Sequence, residues 1–364
     1  MAYDNLFTPY SGGGLELPHR IAMSPLTRNR AKGTIPGEIN AEYYAQRAGA
    51  ALTLTEGSHP AAVGQGYLDI AGVYTDGHEQ GWRLVADRVH RAGGRLWIQL
   101  MHCGRVAHPR YTAGEQPVAP SAVKAEGAVF TPEGEQDFVT PRAFETDELP
   151  GLIADYVQAA RRAVAAGADG IELHAANGYL LHQFLGTNTN TRTDGYGTDV
   201  EGRIRFVAEV AQACAEAIGP ERVGLHTSPG HRFGDIREDH VKETYEALYP
   251  KLGEIGLAYV HTLEPTADPD LPATRQAREH FPGTLIANGG FGEAWDVEGA
   301  DRLIGEGLFD VVAFGRRYIA NPDLAERLRQ GAELNEPDPD TFYGGDETGY
   351  TDYPALDGEE VAVA

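Results

Sequence analysis

Eight short runs of strand-forming residues recur along this 364-residue chain, each closing on polar or glycine residues and each followed by a helix-like stretch. That alternation constrains the fold more than any other feature. The runs extend from His19 to Pro25, Ala51 to Gly57, Arg95 to His102, Gly170 to Ala175, Arg222 to Ser228, Leu257 to Leu263, Thr284 to Gly289 and Asp310 to Arg316. They are apolar without clean polar alternation, which is how buried parallel strands read when helices cover them. Between them lie amphipathic segments such as Glu148 to Ala166, whose Leu152, Tyr156, Ala160 and Val164 repeat at helical spacing before a stop at Gly167. Asn321 followed by Pro322 reads as the N-cap and first residue of a last short helix.

Eight strand-helix units without a linker predict an α/β fold, a single (β/α)8 TIM barrel spanning residues 1–364 as one domain. Length alone suggested two or three. A long insertion, 103–147, follows the third strand, and 335–364 forms an irregular C-terminal extension. A second long connection, 177–199, follows the fourth strand. Long loops in compact domains are usually functional, and both follow strand C-termini, the catalytic face of such barrels.

The strand-end candidates are Thr27, Glu56, Gln99, His102, His174, His226, His261, Gly289, Gly290, Gly315 and Arg316. After strands seven and eight, Gly289, Gly290, Gly315 and Arg316 combine close backbone approach with a forked cation, which suits a phosphate at the place where barrels commonly hold one. Tight turns beside a surface base give the same pattern. After strand four, His174, Asn177 and Tyr179 could polarise a carbonyl or nitro oxygen and deliver a proton. A loop-stabilising His-Asn network with a packed tyrosine has the same spacing. The four strand-end histidines, His102, His174, His226 and His261, offer a further reading as zinc ligands of a barrel hydrolase. It is disfavoured, and no metal is expected, because strand one lacks a His-x-His pair and strand eight ends on a cationic arginine.

Composition narrows the partners. Against 54 acids stand 30 bases, a net charge of −24, with lysine only at 32, 124, 242 and 251. Nucleic acid and anionic membranes both require a basic face and are excluded as natural partners. A salt-adapted surface and drift toward arginine codons both fit the balance. Cys103 and Cys214 are too few and too far apart for a disulfide framework, and neither a leader-like N-terminus nor a membrane-length apolar run is present, so a cytoplasmic protein is expected.

The motifs SPLTR at 24–28, HxxNGYLLHQFL at 174–185, AFGRRYIANPDL at 313–324 and FYGG at 342–345 resemble the old yellow enzyme family, the FMN-dependent ene-reductases, and the likeness covers nearly the whole chain. The resemblance implies noncovalent FMN with its phosphate near Gly289, Gly290, Gly315 and Arg316. It places Pro25, Thr27, Gly57 and Gln99 along the isoalloxazine, with the Thr27 hydroxyl at the flavin C4 oxygen. It assigns His174 and Asn177 to the activating oxygen of an unsaturated carbonyl or nitro substrate and Tyr179 to its protonation, with Tyr67, Met101 and Tyr343 lining the pocket. NAD(P)H would be the reductant, with nitrate esters or nitroaromatics as further substrates. A noncatalytic flavin-binding barrel is the alternative outside enzymes, and a monomer or homodimer is expected.

Two positions depart from the family pattern. His226 stands where an arginine usually faces flavin N1 and O2, so a group that titrates near neutrality replaces a permanent cation unless Arg232 supplies the charge. Met101 stands where a tryptophan is frequent, which softens or enlarges the pocket.

Overall fold

The computed structural model describes residues 3–356, so Met1, Ala2 and the last part of the predicted 335–364 extension lie outside the described residues. All eight predicted runs contain a strand: β1 Ile21–Met23, β2 Leu52–Leu54, β3 Leu96–Leu100, β4 Gly170–Ala175, β5 Val223–Thr227, β6 Tyr259–Leu263, β7 Thr284–Asn288 and β8 Val311–Phe314. Each pairs in parallel with the next, and β8 returns to β1 to close the barrel. Helices α1 Glu38–Gln46, α2 Asp76–Arg91, α3 Leu149–Ala165, α4 Leu180–Leu185, α5 Val200–Ile218, α6 Val241–Ile255, α7 Pro272–His280 and α8 Val297–Gly305 lie between strands, and α9 Arg316–Ala320 and α10 Leu324–Gln330 follow the last one.

The strands read as uninterrupted apolar runs because helices bury their outer face in one large core while side chains fill the inside. The inner floor is formed by Leu52, Leu54, Trp97, Tyr259, Ile286 and Val311, closed by a hairpin of Tyr10–Gly12 and Leu15–Leu17. Gly224 serves this layer, since a methyl there would stand 2.2 Å from the Tyr259 ring. The hairpin plugs this end of the barrel, which leaves the strand C-termini as its open mouth.

The segment after β3 arches over that open end. It carries a hairpin of Ala128–Thr131 and Gly134–Asp137, and its Val106, Tyr111, Val129 and Phe138 pack with Ile70, Met101 and Tyr179 into a separate apolar cluster. Arg105, fully buried, donates to the carbonyls of Gly234 and Asp235 at 3.1 and 2.6 Å and so ties this segment to the loop after β5. The described part of the tail is held likewise. Arg28 donates to the carbonyls of Phe342 and Gly349, Arg30 to those of Asp346 and Thr348, and Tyr43 stacks on Tyr350 at 4.0 Å.

One helix signal was misassigned. Asn321 does not cap the final helix: it lies beyond the end of α9, where its amide donates to the Arg317 and Asn335 carbonyls and its oxygen accepts from the Asn335 amide. These bonds staple the tail to the barrel. The residue before α10 is Asp323, whose carboxylate accepts from Arg327 and from the Leu356 amide.

Candidate active site

Strand register gathers the polar residues of the barrel mouth. Pairing of His174 with His226 and of His226 with His261 sets three imidazoles in a row across β4, β5 and β6. The His174 and His226 rings lie 5.2 Å apart, and His226 stacks on His261 at 4.1 Å and 11°. Beneath them Gln99 pairs with Glu172 in register, its amide donating to the carboxylate at 2.7 Å, while His261 Nδ1 donates to the other carboxylate oxygen at 2.9 Å. Because both carboxylate oxygens of Glu172 are engaged by donors, one from β3 and one from β6, this cluster has an internal explanation as a proton-ordered network. His102, the fourth histidine considered for zinc, does not join it and bonds through Nδ1 to the Gly104 amide.

The turn after β4 is braced from below. Asn177 and Gly178 both take left-handed backbone, φ 52° and 73°, and a methyl on Gly178 would stand 2.3 Å from the Phe233 carbonyl oxygen. The Asn177 amide donates to Ser228 Oγ at 2.8 Å. The Gly178 amide donates to His182 Nδ1 at 3.1 Å, and Gln183 donates to the Gly178 carbonyl at 2.7 Å, so α4 folds back to hold the turn that precedes it. His182 in turn lies 3.2 Å from the buried carboxylate of Glu238. The motif at 174–185 included His182 and Gln183, but nothing local marked their role, and Glu238 sits in a charged stretch that reads as surface.

His174 accepts from the Ala176 amide through Nδ1, which assigns its proton to Nε2. Burial, reinforced by His182 and His261, pushes its pKa down to about 3, so it is a neutral donor. The Asn177 side-chain oxygen is buried without a partner. Tyr179 packs edge-on against His174 with ring centroids 4.9 Å apart, and its hydroxyl lies 3.0 Å from that of Tyr67. Burial holds both phenols well above their ordinary pKa, so both carry their protons at neutral pH. The structure therefore brings His174, Tyr179 and Tyr67 together, with Asn177 on the turn between the first two. Met101 lies on the same wall, against Gly57, where an added methyl would stand 2.5 Å from the Met101 sulfur. Tyr343 is 70% exposed, on the tail at the rim.

Across the mouth, Gly290 has φ 68° and its amide donates to Asn288 Oδ1, whose own amide reaches Ser24. An added methyl at Gly290 would strike the Glu264 carbonyl at 2.1 Å. Arg316, just past Gly315, is exposed, whereas its neighbour Arg317 pairs with Glu293 at 3.5 Å. Pro25 and Thr27 are half-buried after β1. His226 has no partner on Nε2, and Arg232 lies exposed on the loop beyond it. The donor set fits FMN: a glycine turn and a guanidinium at one end for a phosphate, and an unpartnered imidazole nitrogen beside the Gln99 amide for the polar edge of a ring.

The chain matches the NADH:flavin oxidoreductase / NADH oxidase family over residues 5–335. It is 38% identical to 12-oxophytodienoate reductase 1 of Oryza sativa subsp. japonica, over 97% of this chain and 93% of that protein. Its fold superposes on morphinone reductase in complex with tetrahydroNAD with a TM-score of 0.91 and 47% identity, covering 97% and 98% of the two chains. The old yellow enzyme homologue from Zymomonas mobilis gives a TM-score of 0.93 at 36% identity, covering 97% of this chain and all (100%) of the other.

Proposed function

This chain belongs to the NADH:flavin oxidoreductase / NADH oxidase family, among the old yellow enzyme homologues, and on that premise we propose that it reduces the activated C=C bond of α,β-unsaturated carbonyl or nitro compounds. It is a flavin oxidoreductase with FMN as cofactor and a nicotinamide as reductant. The readings as a zinc hydrolase and as a noncatalytic barrel fall with that membership.

When bound, FMN would supply the relay of hydride from NAD(P)H to the β carbon of the substrate. The chain's own residues do the rest. Gly289, Gly290, Gly315 and Arg316 would hold the phosphate, and Pro25, Thr27, Gly57, Gln99 and His226 would border the ring, with the Thr27 hydroxyl available to the C4 oxygen. His174, through its Nε2 proton, and Asn177, through its side-chain amide, bind the activating oxygen. Both are neutral donors aimed where negative charge develops, so they stabilise the transition state more than the ground state. Tyr179 gives its proton to the α carbon. For an unsaturated carbonyl its raised pKa is no obstacle, because the developing enolate is a far stronger base at carbon than a phenolate, and the Tyr67 hydroxyl 3.0 Å away can donate to the phenolate as it forms. Tyr67, Met101 and Tyr343 form the substrate wall.

The observation that carries this reading is the edge-on contact of Tyr179 with His174, with Asn177 on the turn between them held by Ser228, His182 and Gln183. The same site accommodates nitrate esters and nitroaromatics, whose oxygens suit the same two donors. Among the described residues no helix is long and apolar enough to cross a membrane, and both cysteines are free and buried. The test is a flavin spectrum bleached by NAD(P)H and restored by an enone, with Tyr179→Phe slowing only the second step.

A further inference from the structure

We propose that His226, Glu172 and His261 form one proton-accepting cluster, which takes up a proton from solvent when the bound cofactor becomes negatively charged on reduction and releases it on reoxidation. The inference rests on the functional reading above and concerns the energetics of its first half.

The geometry supplies both states of the cluster. Gln99 Nε2, which donates to Glu172 Oε1 at 2.7 Å, also lies 3.4 Å from His226 Nδ1. An imidazole accepting there carries its proton on Nε2, the buried nitrogen with no partner in the protein. Nδ1 is therefore the vacant basic site. It lies 3.9 Å from Glu172 Oε1, so a proton added at Nδ1 meets a carboxylate inside the barrel. His261 fixes that carboxylate from the other side at 2.9 Å and stacks flat on the His226 ring. Its own Nε2 is also buried and unpartnered.

The groups that face His226 come from every neighbouring element: uncharged Gln99 from β3, Glu172 and His174 from β4, His261 from β6, His182 from α4, and His231 from the loop after β5. Five of the six are titratable, and none is a permanent cation. Burial and the surrounding imidazoles push His226 well below its ordinary pKa, so it is neutral before reduction. A new negative charge beside its Nε2 reverses that balance in a low-dielectric site. An arginine at this position would already be charged in both redox states and would take up nothing.

The balance is explicit. Hydride from NAD(P)H brings two electrons and one proton and leaves one negative charge on the ring. The cluster then binds one proton from solvent at His226 Nδ1, so two electrons are accompanied by two protons rather than one. When hydride leaves for the substrate, the Nδ1 proton returns to solvent.

The experiment is the midpoint potential of the FMN-loaded enzyme, by equilibration with a reference dye, from about pH 7 to 8.5. For the wild type the reduction equilibrium should weaken roughly a hundredfold per pH unit, about 59 mV for a two-electron couple, and for His226→Arg roughly tenfold, about 30 mV. Glu172→Gln, which removes the carboxylate charge and keeps one of its two acceptor oxygens, should also flatten the slope. A tenfold slope in the wild type overturns the proposal even if neither variant folds, and so does a hundredfold slope that survives in His226→Arg. Failure to bind FMN or to be reduced by NAD(P)H instead overturns the functional reading, which separates the two.

Discussion

The hydroxyls of Tyr67 and Tyr179 lie 3.0 Å apart with their rings perpendicular, one phenol anchored after β2 and the other after β4. The pair places one phenol against His174 and backs it with a second donor. Replacing Tyr179 with Phe removes the transferable proton without opening a cavity. We expect the rate of flavin reoxidation by an enone to fall by roughly 10² to 10⁴, the usual range for a positioned general acid, while the rate of flavin reduction by NAD(P)H stays within about twofold. Rapid-mixing absorbance measures both, and an equal loss in the two steps would remove Tyr179 from the proton-donor role. Tyr67→Phe should give a smaller loss in the same step.

His174 and Asn177 are separated by one turn of chain but are held by different elements, His174 by strand register and Asn177 by Ser228. His174→Ala and Asn177→Ala should each lower turnover by on the order of 10² to 10³, the usual cost of one donor to a developing oxyanion. Because both donors also contact the ground state, KM for the enone should rise as well. Steady-state kinetics with unchanged FMN content distinguishes this from loss of fold.

Arg316 is exposed beside Gly315, just after β8, on a protein whose net charge is −24. Local contacts must outweigh that field to retain a phosphate. Arg316→Ala should weaken FMN binding by about ten- to a hundredfold, from roughly 1.5–3 kcal/mol for a hydrogen bond to a charged group. Quenching of free FMN fluorescence measures it. Unchanged affinity would place the phosphate elsewhere.

The buried histidines set the acid limit of stability. Burial pushes His59, His78 and His231 to about 4 and His102 and His174 to about 3, whereas unfolded imidazole titrates near 6.5. Between those values the unfolded chain binds more protons, so their contribution is full above about pH 6.5 and is lost as pH falls. Glu56 opposes them: burial raises it to about 7, so its contribution is full below its unfolded value and is lost as pH rises through 7. Five imidazoles outweigh it. The urea midpoint of the FMN-loaded protein should therefore drop steadily from pH 6.5 to 4, and a flat profile would show that these rings are solvated.

Much of this was legible in the sequence because a barrel writes its strands as local apolar runs and its chemistry at their ends. Tyr179, Asn177 and His174 sit within one such end. Glu172 was missed because, buried inside a strand, it looks like an ordinary strand residue until register brings Gln99 and His261 to its carboxylate. Glu238 and Ser228 were missed for a related reason: their partners, His182 on α4 and the Asn177 backbone amide on the turn before it, follow another strand, and no local periodicity records contacts between separate connections. Asn321 was misread because Asn-Pro is a strong local helix-start signal, overridden here by bonds to Asn335.

The central claim, that this barrel transfers hydride from a nicotinamide to an activated alkene, is tested most directly by anaerobic double mixing. The FMN-loaded protein is reduced with one equivalent of NADH or NADPH and then mixed with 2-cyclohexenone or 1-nitrocyclohexene. The account predicts that the flavin absorbance returns while one equivalent of saturated product appears per flavin. Flavin that stays reduced in the presence of both compounds, with no saturated product, would contradict it.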